Sequence, residues 1–325
     1  MAEEWDGDEV VVFVYTGGDQ VVPMDVVRVR IDKTVTIIPS RAFEHRSRLI
    51  CVEFHYGIER IEKRAFSNCR SLRSVKLPGV KIIKAKAFAN CRAATIVEFS
   101  DKLETIEDGA FQNCTSLSNA IIPSVRSIGR WAFFNCVQLT DLELPEGLET
   151  LQGYAFSDCI ALRGIAMPLK SDMIGDCVFA PDRVFAQCPN LTTLDIVGGV
   201  QRTIASLHLE SWKNQMKDEV DRINLILPNT LAEEKTVVIY QWIRSVIRKT
   251  DHYKAAHKAL LKEATTLLEL ALWKANLDDN EEGVLEKEGV RTTRGRRKRA
   301  RKEICITSGA SIVIKNVLPF LTLLE

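Results

Sequence analysis

Residues 61–78 read Ile-Glu-Lys-Arg-Ala-Phe-Ser-Asn-Cys-Arg-Ser-Leu-Arg-Ser-Val-Lys-Leu-Pro, and variants of this stretch recur along the first 200 residues. The Ala-Phe pair occurs six times, and successive phenylalanines are separated by 23, 22, 23, 22 and 23 residues. The pairs are Ala42-Phe43, Ala65-Phe66, Ala87-Phe88, Ala110-Phe111, Ala132-Phe133 and Ala155-Phe156. A period of this length is typical of a solenoid, in which each unit stacks on its neighbours.

The second half of the stretch has the pattern of a strand. Leu72 is followed by Val75 and Leu77, and the last two show the period-2 spacing of a strand with one buried face. Pro78 then ends the strand, because proline cannot donate to a hydrogen-bond ladder. We count seven such strands, beginning near Leu49, Leu72, Ala94, Leu117, Leu139, Leu162 and Leu191.

The first half of the stretch has helical spacing. Ile61, Ala65, Phe66 and Cys69 lie four, one and three residues apart, which predicts a short helical turn. Neither half buries its apolar face alone, so stacking must build a continuous core. We therefore expect parallel strands on the concave side of the solenoid and short helices on the convex side.

The pattern Ile-x-x-x-Ala-Phe-x-x-Cys-x-x-Leu-x-x-Val-x-Leu-Pro resembles the BspA-like class of leucine-rich repeats over about residues 35–197. This resemblance implies an α/β fold, a right-handed β/α solenoid, and a role in binding other proteins. Bacterial members of the class are often surface proteins. With residues 263–273 and the C-terminal end, the chain is also similar to a group of microalgal proteins that carry this repeat.

Composition and charge limit the classes of function that the protein can have. The 325 residues carry a formal net charge of +1, with −4 in residues 1–200 and +5 in residues 201–325. A balance this close to zero does not favour nucleic-acid binding by the protein as a whole. No apolar stretch is long enough to span a bilayer. The acidic start, Met1–Asp6, is not followed by a long apolar segment, so we expect a cytoplasmic protein rather than a secreted one.

Nine cysteines are present, and six of them occupy one position of the repeat. These six are Cys69, Cys91, Cys114, Cys136, Cys159 and Cys188. No Cys-x-x-Cys pair or zinc-type Cys/His spacing occurs. Because free cysteine behaves as a small apolar residue, we predict a stacked column of buried thiols.

The chain divides into segments of different pattern. Residues 10–32 read as two short strands joined by a turn at Gly17-Gly18, and the pattern after residue 200 is helical, with helices expected over about 205–227, 231–249 and 251–277. The predicted segments are N-terminal capping strands at 1–34, the repeat solenoid at 35–200 with an insertion near 174–184, a helical region at 201–277, a charged linker at 278–303 and a strand-turn-helix at 304–325 that docks on the helical region.

Two segments after the solenoid are open to more than one interpretation. The helix at 251–277 either closes the end of the solenoid in an antiparallel bundle or pairs with a partner or a second copy. The basic run in the linker is either a solvated segment or a nuclear or nucleic-acid address. It contains Arg294, Arg296, Arg297, Lys298, Arg299, Arg301 and Lys302. No aromatic residues interleave with it to stack on bases, which argues against specific nucleic-acid recognition.

Catalytic motifs are absent from the sequence. It contains no Walker loop, no Gly-x-Gly-x-x-Gly and no His-Glu-x-x-His, and its five histidines are scattered. His252 and His257 are five residues apart, so they do not share a helix face. We therefore predict no enzymatic activity, no cofactor and no metal site.

Alternate residues of each strand point away from the core, so two positions per strand face the concave side. These pairs are Cys51/Glu53, Ser74/Lys76, Ile96/Glu98, Asn119/Ile121, Asp141/Glu143, Gly164/Ala166 and Thr193/Asp195. Five of these residues are acidic and one is a lysine, which suggests a mildly acidic groove for a basic or polar protein segment. The partner-binding candidates are Glu53, Lys76, Glu98, Asn119, Asp141, Glu143 and Asp195.

The sequence thus predicts a non-enzymatic protein-interaction scaffold that uses its concave face. Two alternatives from other classes remain. In one, the helix at 251–277 pairs two chains and the solenoid is a spacer. In the other, the basic run directs the protein to the nucleus or to nucleic acid.

Overall fold

Nine strands of three to five residues lie parallel to their neighbours in the computed structural model, which describes residues 12–170, 183–197 and 210–286. They form one sheet in the order β1-β2-β4-β6-β8-β10 and a second in the order β12-β14-β15. The strands are β1 (Val12–Tyr15), β2 (Arg28–Ile31), β4 (Cys51–Glu53), β6 (Ser74–Leu77), β8 (Ile96–Phe99), β10 (Asn119–Ile121), β12 (Asp141–Glu143), β14 (Gly164–Pro168) and β15 (Thr193–Val197). All seven strands predicted from the repeat are present, and the predicted class, a parallel-strand solenoid with a C-terminal helical region, is confirmed.

A third sheet of two-residue strands runs along the other half of the repeats, in the order β13-β11-β9-β7-β5-β3. Its strands are β3 (Ile37–Ile38), β5 (Arg60–Ile61), β7 (Ile82–Ile83), β9 (Thr105–Ile106), β11 (Ser127–Ile128) and β13 (Thr150–Leu151). Each is followed by a run of tight turns, which we call the turn segment (residues 63–71 in the second repeat). The prediction of a short helix in this half is therefore wrong.

Two left-handed residues per repeat explain why the turn segment is not a helix. In the second repeat Arg64 has φ 58° and Asn68 has φ 65°, and equivalent residues recur in the other repeats. A right-handed helix cannot pass through such residues. The Phe66 N–H instead donates to the Ala87 carbonyl of the next repeat, at 2.7 Å. The turn segments are therefore linked to one another rather than closed on themselves.

A column of parallel phenylalanine rings forms the centre of the core. Adjacent ring centroids lie 4.7–6.1 Å apart with interplanar angles of 3–14°. The rings belong to Phe43, Phe66, Phe88, Phe111, Phe133, Phe156 and Phe185, all at most 1% exposed. Aromatic residues contribute large buried areas, so this column provides much of the apolar burial that holds the repeats together.

Beside the rings lies the predicted column of six thiols, all free and buried. Each cysteine Sγ donates to the carbonyl of a column phenylalanine in the preceding repeat, at 3.0–3.4 Å. Burial raises the pKa of the Cys69, Cys114 and Cys188 thiols to about 12. These thiols stay protonated at neutral pH and act as buried donors, not as nucleophiles.

The N-terminal end differs from its prediction in one respect. Strands β1 and β2 pair in parallel, so residues 12–31 form a further turn of the solenoid rather than a hairpin. Tyr15 closes the ring column edge-on, with its centroid 5.0 Å from that of Phe43. Arg46 occupies the cysteine position, and its Nη2 donates to the Val22 carbonyl at 2.6 Å. The substitution thus ties the first repeat to the segment before it.

Two helices follow the solenoid: α1 (Glu210–Ile226) and, after a 3₁₀ turn at Leu227–Asn229, α2 (Lys235–Glu286). The separate helices predicted over 231–249 and 251–277 are one continuous helix of 52 residues. No glycine or proline occurs between 235 and 277 to end it. The predicted charged linker begins inside this helix, because residues 278–286 are helical.

The chain forms two compact units. The first contains the solenoid and residues Asn214–Ile247, and the second contains Arg202–Lys213 and the residues from Arg248 onward. In the second unit, α2 carries the exposed side chains Leu267 and Leu270. The predicted insertion core at 174–182, the rest of the linker, the basic run at 294–302 and the C-terminal segment at 304–325 lie outside the described residues.

Replacing one phenylalanine in the middle of the ring column should lower the stability of the protein. Because Phe111 is fully buried between two parallel rings, Phe111→Ala should lower the free energy of unfolding by about 3–5 kcal/mol. Phe111→Leu keeps most of the volume and should cost at most about 1.5 kcal/mol. Urea unfolding followed by circular dichroism measures both, and equal small losses would contradict the column as a principal source of stability.

The raised thiol pKa makes stability depend on alkaline pH. Cys114 has a pKa of about 12 in the folded protein, against about 8.5 in an unfolded chain. The unfolded state loses this proton first as pH rises, so the free energy of unfolding falls between about pH 8.5 and 12. Cys114→Ala should make that fall less steep by about 1.4 kcal/mol per pH unit. Urea unfolding between about pH 9.5 and 10.5 tests this, and an unchanged slope would contradict it.

Candidate functional site

The exposed side chains of the long strands form a continuous surface, which we call the strand face. Along β6, Val75 and Leu77 are 1% exposed while Ser74 and Lys76 point outward. The same alternation holds in β8, β10 and β12. The strand face is the surface that the sequence pattern assigned to binding, and parallel pairing aligns equivalent residues of successive repeats in rows.

Carboxylates in the N-terminal half of the strand face are already paired. Glu53 Oε2 lies 2.6 Å from Arg30 Nε, and Glu98 Oε1 lies 3.1 Å from Lys76 Nζ. Both pairs join neighbouring strands and are well exposed, so each contributes little to stability. They do, however, leave this half of the face close to electrically neutral.

The C-terminal half of the strand face contains a groove of about 850 Å³, which we call the acidic groove. It spans the boundary between the two long-strand sheets and is lined by β10, β12, β14 and β15, with Val220 and Asn224 of α1 on one side. Asn119 also lines it. The groove therefore combines residues of the repeats with residues of the first helix.

Four carboxylates line the acidic groove: Asp141, Glu143, Glu146 and Asp195. Among the described lining residues there is no lysine, arginine or histidine. Asp195 Oδ1 accepts the main-chain N–H of Ile196 at 2.7 Å. Asp141 and Glu143 are exposed and make no hydrogen bond or ion pair with the residues that the structure describes. These two carboxylates are therefore available to a ligand.

Small residues give the groove its depth. Gly164 and Ala166 occupy the outward positions of β14, where other strands carry larger side chains. A Cβ added at Gly164 would lie 2.9 Å from Thr193 Oγ1 and 3.0 Å from Asp141 Oδ1. Glycine at this position lets the side chains of the two neighbouring strands approach each other.

Helix α1 is fixed against the last strand by the side chain of Asn224. Its Oδ1 accepts the Leu194 N–H at 2.7 Å, and its Nδ2 donates to the Leu194 carbonyl at 3.2 Å. The carboxamide thus satisfies the main-chain groups of Leu194 as a neighbouring strand would. Trp242 of α2 holds α1 from behind, with Nε1 donating to the Glu219 carbonyl at 3.0 Å.

Helix α2 begins with a buried lysine that closes the same end of the solenoid. Lys235 is 1% exposed, and its Nζ donates to the carbonyls of Pro189 and Leu191 at 2.7 and 2.5 Å. Burial lowers the pKa of this ammonium group. The next residue, Thr236, accepts the Phe185 N–H at 3.0 Å through its hydroxyl. The last turn segment thereby finds partners for its main-chain groups on α2.

The structure divides the predicted site residues into two sets. Asn119, Asp141, Glu143 and Asp195 lie together in the acidic groove, whereas Glu53, Lys76 and Glu98 lie outside it in ion pairs. The basic run Arg294–Lys302 lies outside the described residues. Whether any of these residues binds a partner stays a prediction.

Three lining residues were missed from the sequence. Glu146 follows β12 and lies outside the alternating strand positions that face away from the core. Val220 and Asn224 come from helix α1, and Asn224 lies 30 residues after the Leu194 that it contacts, so no short-range pattern connects them. The small pair Gly164 and Ala166 was the one available signal for a depression at this point.

Two features are absent from the described part of the chain. No group of three or more His, Cys, Asp or Glu side chains in it is arranged to hold a metal ion. None of its helices is both long and apolar enough to cross a bilayer.

The sequence matches the family model for the BspA type leucine rich repeat region in six copies, over residues 24–136 and 81–211. A comparison with curated proteins finds no match.

Among solved structures, the chain is similar to a leucine-rich-repeat protein of T. pallidum, with 26% identity and a TM-score of 0.37 over 47% of this chain and 78% of that one. It is also similar to a leucine-rich-repeat protein of Bacteroides ovatus, with 22% identity and a TM-score of 0.37 over 53% of this chain. The second match covers 61% of the Bacteroides protein, which is less than two thirds of its length.

Removing the carboxamide that covers β15 should destabilise this end of the solenoid. Asn224→Ala leaves the Leu194 N–H and carbonyl without their partners, which should cost about 1–3 kcal/mol in free energy of unfolding. Urea unfolding measures the loss, and hydrogen exchange should show faster exchange of the Leu194 amide. Asn214→Ala, at an exposed position of the same helix, is the control and should leave both unchanged. Equal effects of the two changes would contradict the capping role.

Proposed function

Because the chain belongs to the BspA-type leucine-rich-repeat family, we propose that it is a non-enzymatic protein-interaction scaffold whose acidic groove receives a basic or polar segment of a partner protein. Proteins of this repeat family are binding scaffolds in general. For this chain, we propose in addition that the acidic groove is the binding site, that the bound segment is basic or polar, and that the protein has no catalytic activity.

One observation carries the proposal: two neighbouring carboxylates of the strand face are unpaired where the surface is hollow. Asp141 and Glu143 have no ion-pair partner among the described residues, and no lysine, arginine or histidine is among the described residues that line their groove. Glu53 and Glu98, on the N-terminal half, are neutralised by Arg30 and Lys76. Like charges gathered in a hollow surface raise the local potential and attract ligands of opposite charge.

The spacing of the carboxylates favours an extended segment. Asp141 and Glu143 are two residues apart on β12, and so are separated by about 6.6 Å along the strand. An extended peptide places every second side chain on one side with the same repeat. A segment with lysine or arginine at alternate positions therefore matches the two free carboxylates, and Ile121, 59% exposed, adds an apolar contact next to them.

The two alternative functions stay predictions. Self-association through the helix at 251–277 involves the second unit, where Leu267 and Leu270 are exposed but the residues after 286 lie outside the described part. A nuclear or nucleic-acid role depends on the basic run, which lies outside it as well. A cytoplasmic location, with nuclear import as the alternative, is likewise a proposal.

Neutralising the two free carboxylates should weaken binding of a basic peptide. We expect Asp141→Asn/Glu143→Gln to reduce the affinity for a labelled peptide of alternating lysine and serine, (Lys-Ser)₅, about tenfold or more at low salt. Loss of two charge-assisted contacts accounts for this magnitude. Fluorescence anisotropy titration of the full chain measures it, and the same variant should lose its partners in affinity capture from cells.

Glu53→Gln/Glu98→Gln is the matched control, because it removes the same charge from the paired half of the same face. It should change the peptide affinity less than about twofold, and neither variant should change the free energy of unfolding by more than about 0.5–1 kcal/mol. If both variants weakened binding equally, the effect would come from net charge alone, and the acidic groove would not be the binding site.

A further inference from the structure

A ladder of asparagine side chains runs across the turn segments, on a different surface from the strand face. The Nδ2 atoms of Asn90, Asn113 and Asn135 donate to the Oδ1 atoms of Asn68, Asn90 and Asn113, at 3.1, 2.9 and 3.0 Å. All four asparagines are left-handed residues, with φ of 58–65°. The backbone turn that excludes a helix thus also aligns these amides from repeat to repeat.

The ladder leaves carboxamide N–H groups free to bind a ligand. Each link uses one carboxamide oxygen and one of the two N–H bonds of the next carboxamide. Asn90 and Asn113 therefore each retain an N–H that has no partner among the described residues.

A cleft of about 390 Å³ lies on this ladder, and we call it the amide cleft. Its lining includes Asn68, Asn90 and Asn113 together with Arg64 and Lys86. Neither cation has an ion-pair partner among the described residues. The one carboxylate in the lining, Glu44, lies 3.5 Å from Arg41 and is paired with it. The cleft therefore presents positive charge and free N–H groups with little to satisfy them.

The surrounding repeats are strongly basic. Residues 40–93 contain 13 Lys/Arg and 4 Asp/Glu, whereas residues 94–170 contain 5 and 10. Within the basic part, eight cations have no ion-pair partner among the described residues: Arg46, Arg48, Lys63, Arg64, Arg70, Arg73, Lys86 and Arg92. The first repeats and the later repeats thus carry opposite charge, although the chain as a whole is nearly neutral.

We propose that the amide cleft is a second docking site, which binds an acidic segment of a partner protein. The carboxylates of the segment pair with Arg64 and Lys86, and the free N–H groups of Asn90 and Asn113 bind carboxylate or main-chain oxygens. Charge-assisted bonds of this kind are the strong ones. An acidic peptide supplies both kinds of acceptor at once.

The lining argues for a peptide rather than a nucleic acid. Single-stranded nucleic acids are held by aromatic side chains that stack on bases in addition to cations that contact phosphates. No aromatic residue is among the described residues that line the amide cleft apart from the imidazole of His45. The exposed indole of Trp131 belongs to the fifth repeat, outside the basic part.

The proposal does not depend on the acidic groove. The two sites have opposite charge, lie on different surfaces of the repeats and share no lining residue. A scaffold with both would hold a basic segment and an acidic segment at fixed positions on one compact unit. Either site can fail its test without affecting the other.

The test is a titration of the full chain with a labelled acidic peptide, (Glu-Ser)₅, at low salt. Arg64→Gln/Lys86→Gln should weaken binding about tenfold or more. The control is Lys76→Gln/Lys81→Gln, which removes the same charge from the same repeats but from lysines already paired with Glu98 and Glu59. The control should weaken binding less than about twofold. Asp141→Asn/Glu143→Gln should not weaken it at all.

Three results would overturn the proposal. One is the absence of measurable binding by the wild-type chain. Another is equal weakening by the cleft variant and the control, which would show diffuse charge attraction without a site. The third is a single-stranded RNA that binds more tightly than the peptide and is weakened by the same cleft variant. Circular dichroism and thermal unfolding of each variant confirm that the fold is intact.

Discussion

The structure depends on one main-chain hydrogen bond that is repeated from turn to turn. In each of the first five Ala-Phe pairs the phenylalanine N–H donates to the alanine carbonyl of the next pair, at 2.7–2.8 Å. This bond fixes the turns at the separation of paired strands. The rings, the thiols and the asparagine amides then have to stack, since each occupies the same place in every turn. The bond requires a left-handed residue on either side of the Ala-Phe pair, which is why the segment cannot be helical.

How much of this could be read from the sequence depends on the kind of signal. The long strands were predictable because alternation of buried and exposed residues is local and has a period of two. The turn segment was not, because the spacing of Ile61, Ala65 and Phe66 fits a helix and fits two left-handed turns equally well. The asparagine at each Phe-x-Asn-Cys was the readable sign, since asparagine is enriched at positive φ. The helix that forms one wall of the acidic groove could not be predicted, because Asn224 contacts Leu194, which lies 30 residues before it in the sequence.

Charge is distributed unevenly along the repeats, although the net charge of the chain is close to zero. The core positions of every repeat are nearly identical, so the fold constrains few of the outward residues. Successive turns can then differ in charge without differing in backbone, and the first repeats are basic while the later ones are acidic. Ion pairs such as Arg30–Glu53 neutralise part of the strand face, whereas Asp141 and Glu143 in the acidic groove and Arg64 and Lys86 in the amide cleft stay unpaired among the described residues.

The carboxamide of Asn224 has a consequence for assembly as well as for folding. A stack of parallel strands has no intrinsic length, because its last strand presents the same donors and acceptors that every earlier strand used to pair with the next. Left bare, β15 would be a growing end, onto which the first strands of another molecule could add and extend the stack into a fibre. By occupying the main-chain groups of Leu194, Asn224 blocks the addition of a further strand at that point and so works against such end-to-end growth.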